Sequence, residues 1–323
     1  MFLSAGADHL SQMSYQSDEQ IRERYGLEER TITDRLRENW VGYLFIFPTF
    51  LMFSLLFYYP IVRGVYLTFT DTKLGLSGQF IGLDNYYWLL TNDLFLFAFG
   101  WTLVFVFGVT GLQLVLGGLA ALLLSELSNY RRWISAVVMS PYFSAPLAGG
   151  VIWLWFLDSS FGFLPRVFAD LGLVAPGFLS EGLWPYVSLI VAQTWHDYGY
   201  AAIIYAAALI NIPSDQYEAA ALAGAGRLRR FRDVTLPHLI TPTIIILALR
   251  TAYNVAEFAQ PFELTGGGPG TRTMLLSILT YRVAYVNNSF GRGYTVGMAM
   301  IVISMTAAVF YVTVIKGEEE LYV

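Results

Sequence analysis

Six stretches of this chain have the length and polarity of membrane spans. A helix rising about 1.5 Å per residue needs roughly 20 apolar residues to cross about 30 Å of hydrocarbon. The stretches are Val41–Val62, Leu96–Leu124, Ile134–Leu157, Val187–Ile210, Leu239–Phe258 and Thr295–Ile315. No water reaches the bilayer core, so each must satisfy its backbone hydrogen bonds internally. The expected fold class is therefore an all-α integral membrane protein with six transmembrane helices. Composition agrees: charged residues are 13% of the 323, against about 25% in soluble domains. Mean hydropathy is +0.53.

The same composition excludes several chemistries. The chain has no cysteine, so thiolate nucleophiles, disulfides and Cys-ligated metals are absent. Its three histidines, His9, His196 and His238, form no metal-binding pair on one helix face. Neither Lys73 nor Lys316 sits in a phosphate-cradling P-loop, so the chain cannot itself hydrolyse ATP as a P-loop enzyme. A net charge of −5 without a basic run argues against a nucleic-acid partner. The expectation is no catalytic residue, no metal and no cofactor.

Residues 1–40 read as a polar cytoplasmic tail without the apolar core of a signal peptide. The span domain follows over 41–315, and 316–323 read as a second cytoplasmic tail. Three spans are irregular. Pro141 and Pro146 must kink the third, Trp195-His196-Asp197 interrupts the fourth, and Arg250 and Glu257 sit in the fifth. The run Met274–Val286 is too short to cross and is expected to lie at, or dip into, the membrane surface. Basic residues set the orientation. With the N-terminus inside, the inner segments hold twelve of the nineteen: Arg22, Arg24, Arg30, Arg35, Arg37, Arg131, Arg132, Arg227, Arg229, Arg230, Arg232 and Lys316. Both termini are then cytoplasmic.

The inner segment between spans four and five, residues 213–237, is the most informative. Ser214 is placed to cap a helix starting near Asp215, and the alanines Ala219–Ala223 favour its continuation. Gly224 and Gly226 then break it. Leu236-Pro237 starts the next span, where a first-turn proline is tolerated. The result is a small-residue helix that projects from the membrane and lets another protein approach closely. Glu218 is the one acidic group in its middle.

This pattern resembles a known family. Tyr217, Glu218-Ala219-Ala220, Gly224-Ala225, then Phe231 and Leu236-Pro237 look like the coupling loop of ATP-binding-cassette (ABC) importer permeases. Ala223 departs from the Asp usual before the Gly-Ala pair. Phe80-Ile-Gly-Leu-Asp-Asn-Tyr86 is similar to a segment after the first span of carbohydrate-type permeases. Leu264-Thr265-Gly266-Gly267-Gly268-Pro269 resembles a signature of one of their two permease subunits. By physics alone, Gly266–Gly270 reads as a flexible outer loop.

The resemblance implies a type I ABC importer permease in a prokaryotic cell membrane, moving a sugar or oligosaccharide inward. It implies a second six-span permease, two cytoplasmic ATPase subunits that hold the ATP and Mg, an extracytoplasmic solute-binding protein, and surrounding lipid. A non-sugar solute such as glycerol phosphate is the alternative cargo. An ion-gradient-driven secondary transporter is the alternative class; it would use Asp197, Glu257 or His196 as proton sites and leave the shaped loop unexplained.

Ionisable groups inside spans are costly and usually face a bundle interior or a wet path. Arg250, Asn254 and Glu257 lie within about 60° on one helix face, flanked by Tyr253. Together with Trp195 and Asp197 they are candidates to line the solute path. The alternative is that Arg250 neutralises an acidic group across the bundle and that His196-Asp197 is a packing pair.

Overall fold

A computed structural model describes residues 39–126 and 131–319. The tail expectation for 1–38 and the end of the tail at 320–323 lie outside the described residues. The described residues are almost wholly helical, with one isolated β-bridge between Thr70 and Phe80. Contacts divide the chain into Met1–Arg63 and Gly64–Val323.

The first unit contributes most of helix α1, Trp40–Leu67. Its residues from Trp40 to Tyr58 are all exposed or nearly so, including Phe45, Phe47 and Phe57, as suits a lipid-facing surface. Pro60 has no N–H, and its ring would meet the carbonyl four residues back. The helix answers with a wide π turn at Ser54–Tyr58, where the Tyr59 N–H reaches back to the Ser54 carbonyl.

The second unit holds α2 (Asp84–Thr91), α3 (Asp93–Glu126), α4 (Arg131–Met139), α5 (Pro146–Leu157) and α6 (Phe163–Asp170). Then come α7 (Trp184–Ile210), α8 (Ser214–Leu222), α9 (Arg227–Ala256), α10 (Ala259–Thr265), α11 (Leu276–Val286) and α12 (Phe290–Glu319). Helix α3 packs along α7, and α9 lies against α12, α3 and α7. The main apolar core gathers Phe105 and Val109 of α3, Leu189 of α7, Val255 of α9 and Leu276, Ile278 and Leu279 of α11. Gly117 makes the α3–α7 crossing possible. A Cβ there would sit 2.5 Å from the Ala201 Cβ and 2.9 Å from the Ala202 nitrogen.

Four helices among the described residues are long and apolar enough to cross a membrane: α1, α3, α9 and α12. The two remaining predicted spans differ. The fourth is not interrupted: α7 runs unbroken for 27 residues through Trp195-His196-Asp197, because those polar groups find partners inside the bundle. The third is not one kinked helix but two short ones, α4 and α5. Ala145 before Pro146 is pushed to extended backbone (ψ 135°), the usual effect of a following proline.

Two further expectations change. Pro237 does not open a span, since helix runs continuously from Arg227 to Ala256. A π turn at Phe231–Thr235, with the Leu236 N–H on the Phe231 carbonyl, widens the helix just ahead of that proline, as in α1. The segment Met274–Val286 does not lie along the surface but runs from the core, where it begins, to an exposed end at Tyr285 and Val286. Met274, Leu276 and Ile278 are fully buried in the core. The buried start of α11 is satisfied from another helix: its Leu276 N–H donates to the Thr102 Oγ1 at 3.0 Å.

Replacing Gly117 by valine forces side-chain carbon into the Ala201 backbone region. The expected loss is about 1–3 kcal/mol of stability, read as a lower unfolding midpoint in detergent; Gly111→Val, whose Cβ position is open, should leave the midpoint within error.

Candidate functional site

Three features stand out: a polar cluster inside the bundle, a knotted glycine loop, and a projecting helix.

The polar cluster is built around Arg250 on α9. Its Nη2 donates to Asp197 Oδ2 on α7 and to Asn254 Oδ1 at 3.3 Å, and its Nε to Gln113 Oε1 on α3 at 3.3 Å. Its guanidinium also lies 4.4 Å from the Tyr253 ring centroid and 5.4 Å from that of Tyr200. Asp197 accepts from Gln193 Nε2 at 2.7 Å and pairs with His196 Nδ1 at 2.8 Å. His196 Nε2 meets the Ser144 carbonyl, in the turn between α4 and α5, at 3.1 Å. Asn254 Nδ2 donates to Thr110 Oγ1 at 2.9 Å. One buried cation thus ties α3, α7 and α9, and a histidine extends the tie to the broken third span.

Helical spacing places Arg250 and Asn254 together, and the structure joins them directly. Glu257 closes the helix: α9 ends at Ala256 and the chain turns to extended backbone at Glu257 (ψ 125°). A helix continuing through Pro261 would set that ring against the Glu257 carbonyl. The freed carbonyl instead accepts Ser277 Oγ at 2.6 Å, and the Glu257 carboxylate accepts the Gln260 N–H at 3.4 Å. Of the candidate path residues, Asp197 and Asn254 are 1% exposed, Arg250 and Glu257 are also buried, Trp195 is half-buried, and Tyr253 is 46% exposed. The sequence reading passed over Gln113, Gln193 and Gln260. Gln260 is buried with neither amide atom hydrogen-bonded among the described residues, and the Trp153 indole nitrogen is likewise unpartnered. Glutamine inside an apolar helix was the available signal.

The glycine loop is closed by side-chain hydrogen bonds. Thr265 Oγ1 lies 2.8 Å from Thr273 Oγ1, which lies 2.6 Å from the Gly268 carbonyl. Arg282 Nη2 donates to the Gly266 carbonyl at 2.7 Å. Gly267 has φ +87°, and a Cβ there would meet Met274 Cε at 2.9 Å. The Gly268–Pro269 peptide is cis.

The projecting helix is α8. Ser214 is its first residue rather than its cap, which is Pro213. Gly224 takes φ +77°, a conformation a side chain would strain. Glu218, Ala219 and Gly224 are exposed, Ala220 and Ala225 partly so, and Leu222 is 91% exposed. The helix is held at its root: Ile212 is buried, and Tyr217 OH lies 3.0 Å from Thr235 Oγ1 of the π turn. Phe231 is half-buried there, while Leu236 and Pro237 are exposed on α9.

Residues 113–316 match the sequence profile of the family described as "Binding-protein-dependent transport system inner membrane component". The sulfoquinovosyl glycerol transport system permease protein SmoG of Agrobacterium fabrum is 28% identical over 88% of this chain and 93% of its own. The sn-glycerol-3-phosphate transport system permease protein UgpA of Yersinia pestis is 28% identical over 84% of this chain and 93% of its own. Among solved structures, a bacterial alginate ABC transporter in complex with an alginate pentasaccharide-bound periplasmic protein shares the fold. It has a TM-score of 0.75 and 23% identity, covering 87% of this chain and 95% of that one.

Removing one member of a buried ion pair strands the other, at about 3–5 kcal/mol. Asp197→Leu and Arg250→Leu are each expected to lower the unfolding midpoint sharply. The double variant should recover part of the loss; strictly additive losses would show that the pair is not coupled.

Proposed function

The chain belongs to the family of binding-protein-dependent transport system inner membrane components, the permeases of ABC importers, and we propose that its α8 is the helix through which a separate ATPase drives it. Membership does not favour the ion-gradient alternative. The observation that carries the proposal is the state of α8. It is a short helix of small residues standing clear of the bundle, with an exposed leucine at its tip and a hydrogen bond from Tyr217 at its root. Residues 213–237 then form the coupling segment, with Tyr217, Glu218, Ala219, Ala220, Gly224, Ala225, Phe231, Leu236 and Pro237 as its working residues.

In this reading the chain crosses the membrane six times. The pair α4–α5 and helix α7 count as crossings beside α1, α3, α9 and α12, and both termini are cytoplasmic. The chain pairs with a second six-span permease, two ATPase subunits and an extracytoplasmic solute-binding protein. ATP and Mg belong to the ATPases. Their closure moves α8, and α9 carries that movement as a rigid body into the Arg250 cluster, reopening the bundle to the other side. The cargo is a sugar or a glycerol-linked solute. Support comes from the relatives named for sulfoquinovosyl glycerol and glycerol phosphate, and from Thr265, Gly267, Gly268 and Pro269.

The path residues divide by burial. Arg250, Asp197 and Asn254 are satisfied by one another and act as framework. Tyr253 and Trp195 present aromatic faces that suit the apolar faces of a sugar ring. Glu257 and the unpaired amide of Gln260 are the polar groups placed to meet solute hydroxyls or water.

The test is retention of the ATPase by the permease pair in detergent. Glu218→Arg with Gly224→Trp should lose it while staying folded. If no ATPase is retained by wild type and the reconstituted chain moves solute down an ion gradient, the coupling reading is wrong. On the path side, Tyr253→Ala should cut uptake several-fold at unchanged ATPase retention; full uptake would remove Tyr253 from the path.

A further inference from the structure

Beneath α8 lies a cleft of about 790 Å³, lined by Ser125 of α3, Tyr217 of α8, and Arg227, Arg230 and Thr235 of α9, with Leu228 at its edge. Its charge is unbalanced. Asp233, the acidic residue of this stretch of α9, is committed to the two arginines that do not line the cleft: Arg229 at 3.3 Å and Arg232 at 3.2 Å. Arg227 and Arg230 have no acidic partner among the described residues, and no described lining residue of the cleft is a carboxylate. The Arg230 Nε is enclosed and has no hydrogen-bond acceptor. A buried donor of a charged group left so costs free energy that an anion would recover.

A second, smaller cleft of about 210 Å³ adjoins the first. The two share Ser125 and Leu209, and the second is otherwise walled by Ala121, Ala206 and Ile210. A cationic chamber with hydroxyls therefore opens beside an apolar slot between α3 and α7. A free anion would use the chamber and have no use for the slot.

We propose that this compound cleft binds one anionic phospholipid, its phosphate between Arg227 and Arg230 and an acyl chain along Ala121, Ala206 and Ile210. The site sits at the root of the coupling helix, where Tyr217 and Thr235 meet. A lipid held there braces α8 against the bundle, so the occupied site stiffens the element the ATPase pushes. The inference goes beyond the coupling reading and rests on it only for the leaflet the cleft faces, the cytoplasmic one.

The test uses the whole transporter, reconstituted in nanodiscs of phosphatidylglycerol and phosphatidylcholine, re-extracted, and counted for retained phosphatidylglycerol by native mass spectrometry. Wild type should keep one phosphatidylglycerol that Arg227→Gln/Arg230→Gln loses several-fold. Ala206→Phe fills the slot and keeps both arginines; it should lose the same lipid, and it decides the matter alone if the arginine variant fails to assemble. Equal retention in wild type and both variants overturns the site. Loss in the arginine variant with full retention in Ala206→Phe, and displacement by inorganic phosphate, would make it a free-phosphate site and overturn the lipid assignment. ATPase retention is read in the same sample. Its absence strikes the coupling reading, while the lipid count on the permease still reports on this one.

Discussion

A guanidinium inside an apolar bundle has to be answered on every side, and Arg250 sets the terms for the helices around it. No single neighbour satisfies it. Asp197 supplies the charge, Gln113 and Asn254 supply carbonyl oxygens, and Tyr253 and Tyr200 supply aromatic rings. These groups come from α3, α7 and α9, so the relative placement of three long helices is fixed by one cation. Apolar packing alone gives little driving force between helices surrounded by lipid. A directional polar cluster supplies register. His196 extends it to the Ser144 carbonyl, where the chain breaks between α4 and α5 and a backbone group would otherwise lack a partner.

That cluster gains functional meaning through the continuity of α9. One helix runs from Arg227, beside the projecting α8, to Ala256, past the cluster; at about 1.5 Å per residue it is roughly 45 Å long. Pro237 lies in its first half and would break an ordinary α-helix. The π turn at Phe231–Thr235 absorbs the missing N–H, and the Thr235 hydroxyl in that turn shares a hydrogen bond with the Tyr217 hydroxyl of α8. A local accommodation of proline thus doubles as the anchor of α8. The same device, at the same offset, precedes Pro60 in α1.

Much of this was legible in the sequence, for reasons that are physical. Length and hydropathy locate the apolar helices, since these depend on local composition. The helix of 213–237 is legible because alanines and glycines act locally. The 3.6-residue repeat puts Arg250 and Asn254 on one face. What the sequence hides is the partner set. Gln113 and Thr110 lie about 140 residues from Asn254, and no periodicity links them. The end of α9 at Glu257 is hidden as well, because the repeat assumes a helix that Pro261 brings to an end. The depth of Met274–Val286 is hidden too: Thr102 satisfies its buried start and lets its first half sink into the core. The bonds that Thr265, Thr273 and Arg282 make around Gly266–Gly270 are hidden likewise, because local rules see only glycine there.

The central claim is that α8 and α9 move as one body. The chain has no cysteine, so spin labels go only where they are placed. With cysteine-free partner subunits, Gln216→Cys on α8 and Leu249→Cys on α9, both exposed, give one distance by pulsed electron resonance. The account predicts a narrow distribution that keeps its centre when ATP is added. A distribution that shifts or splits on ATP binding would show that α8 hinges on its own, and would contradict the account.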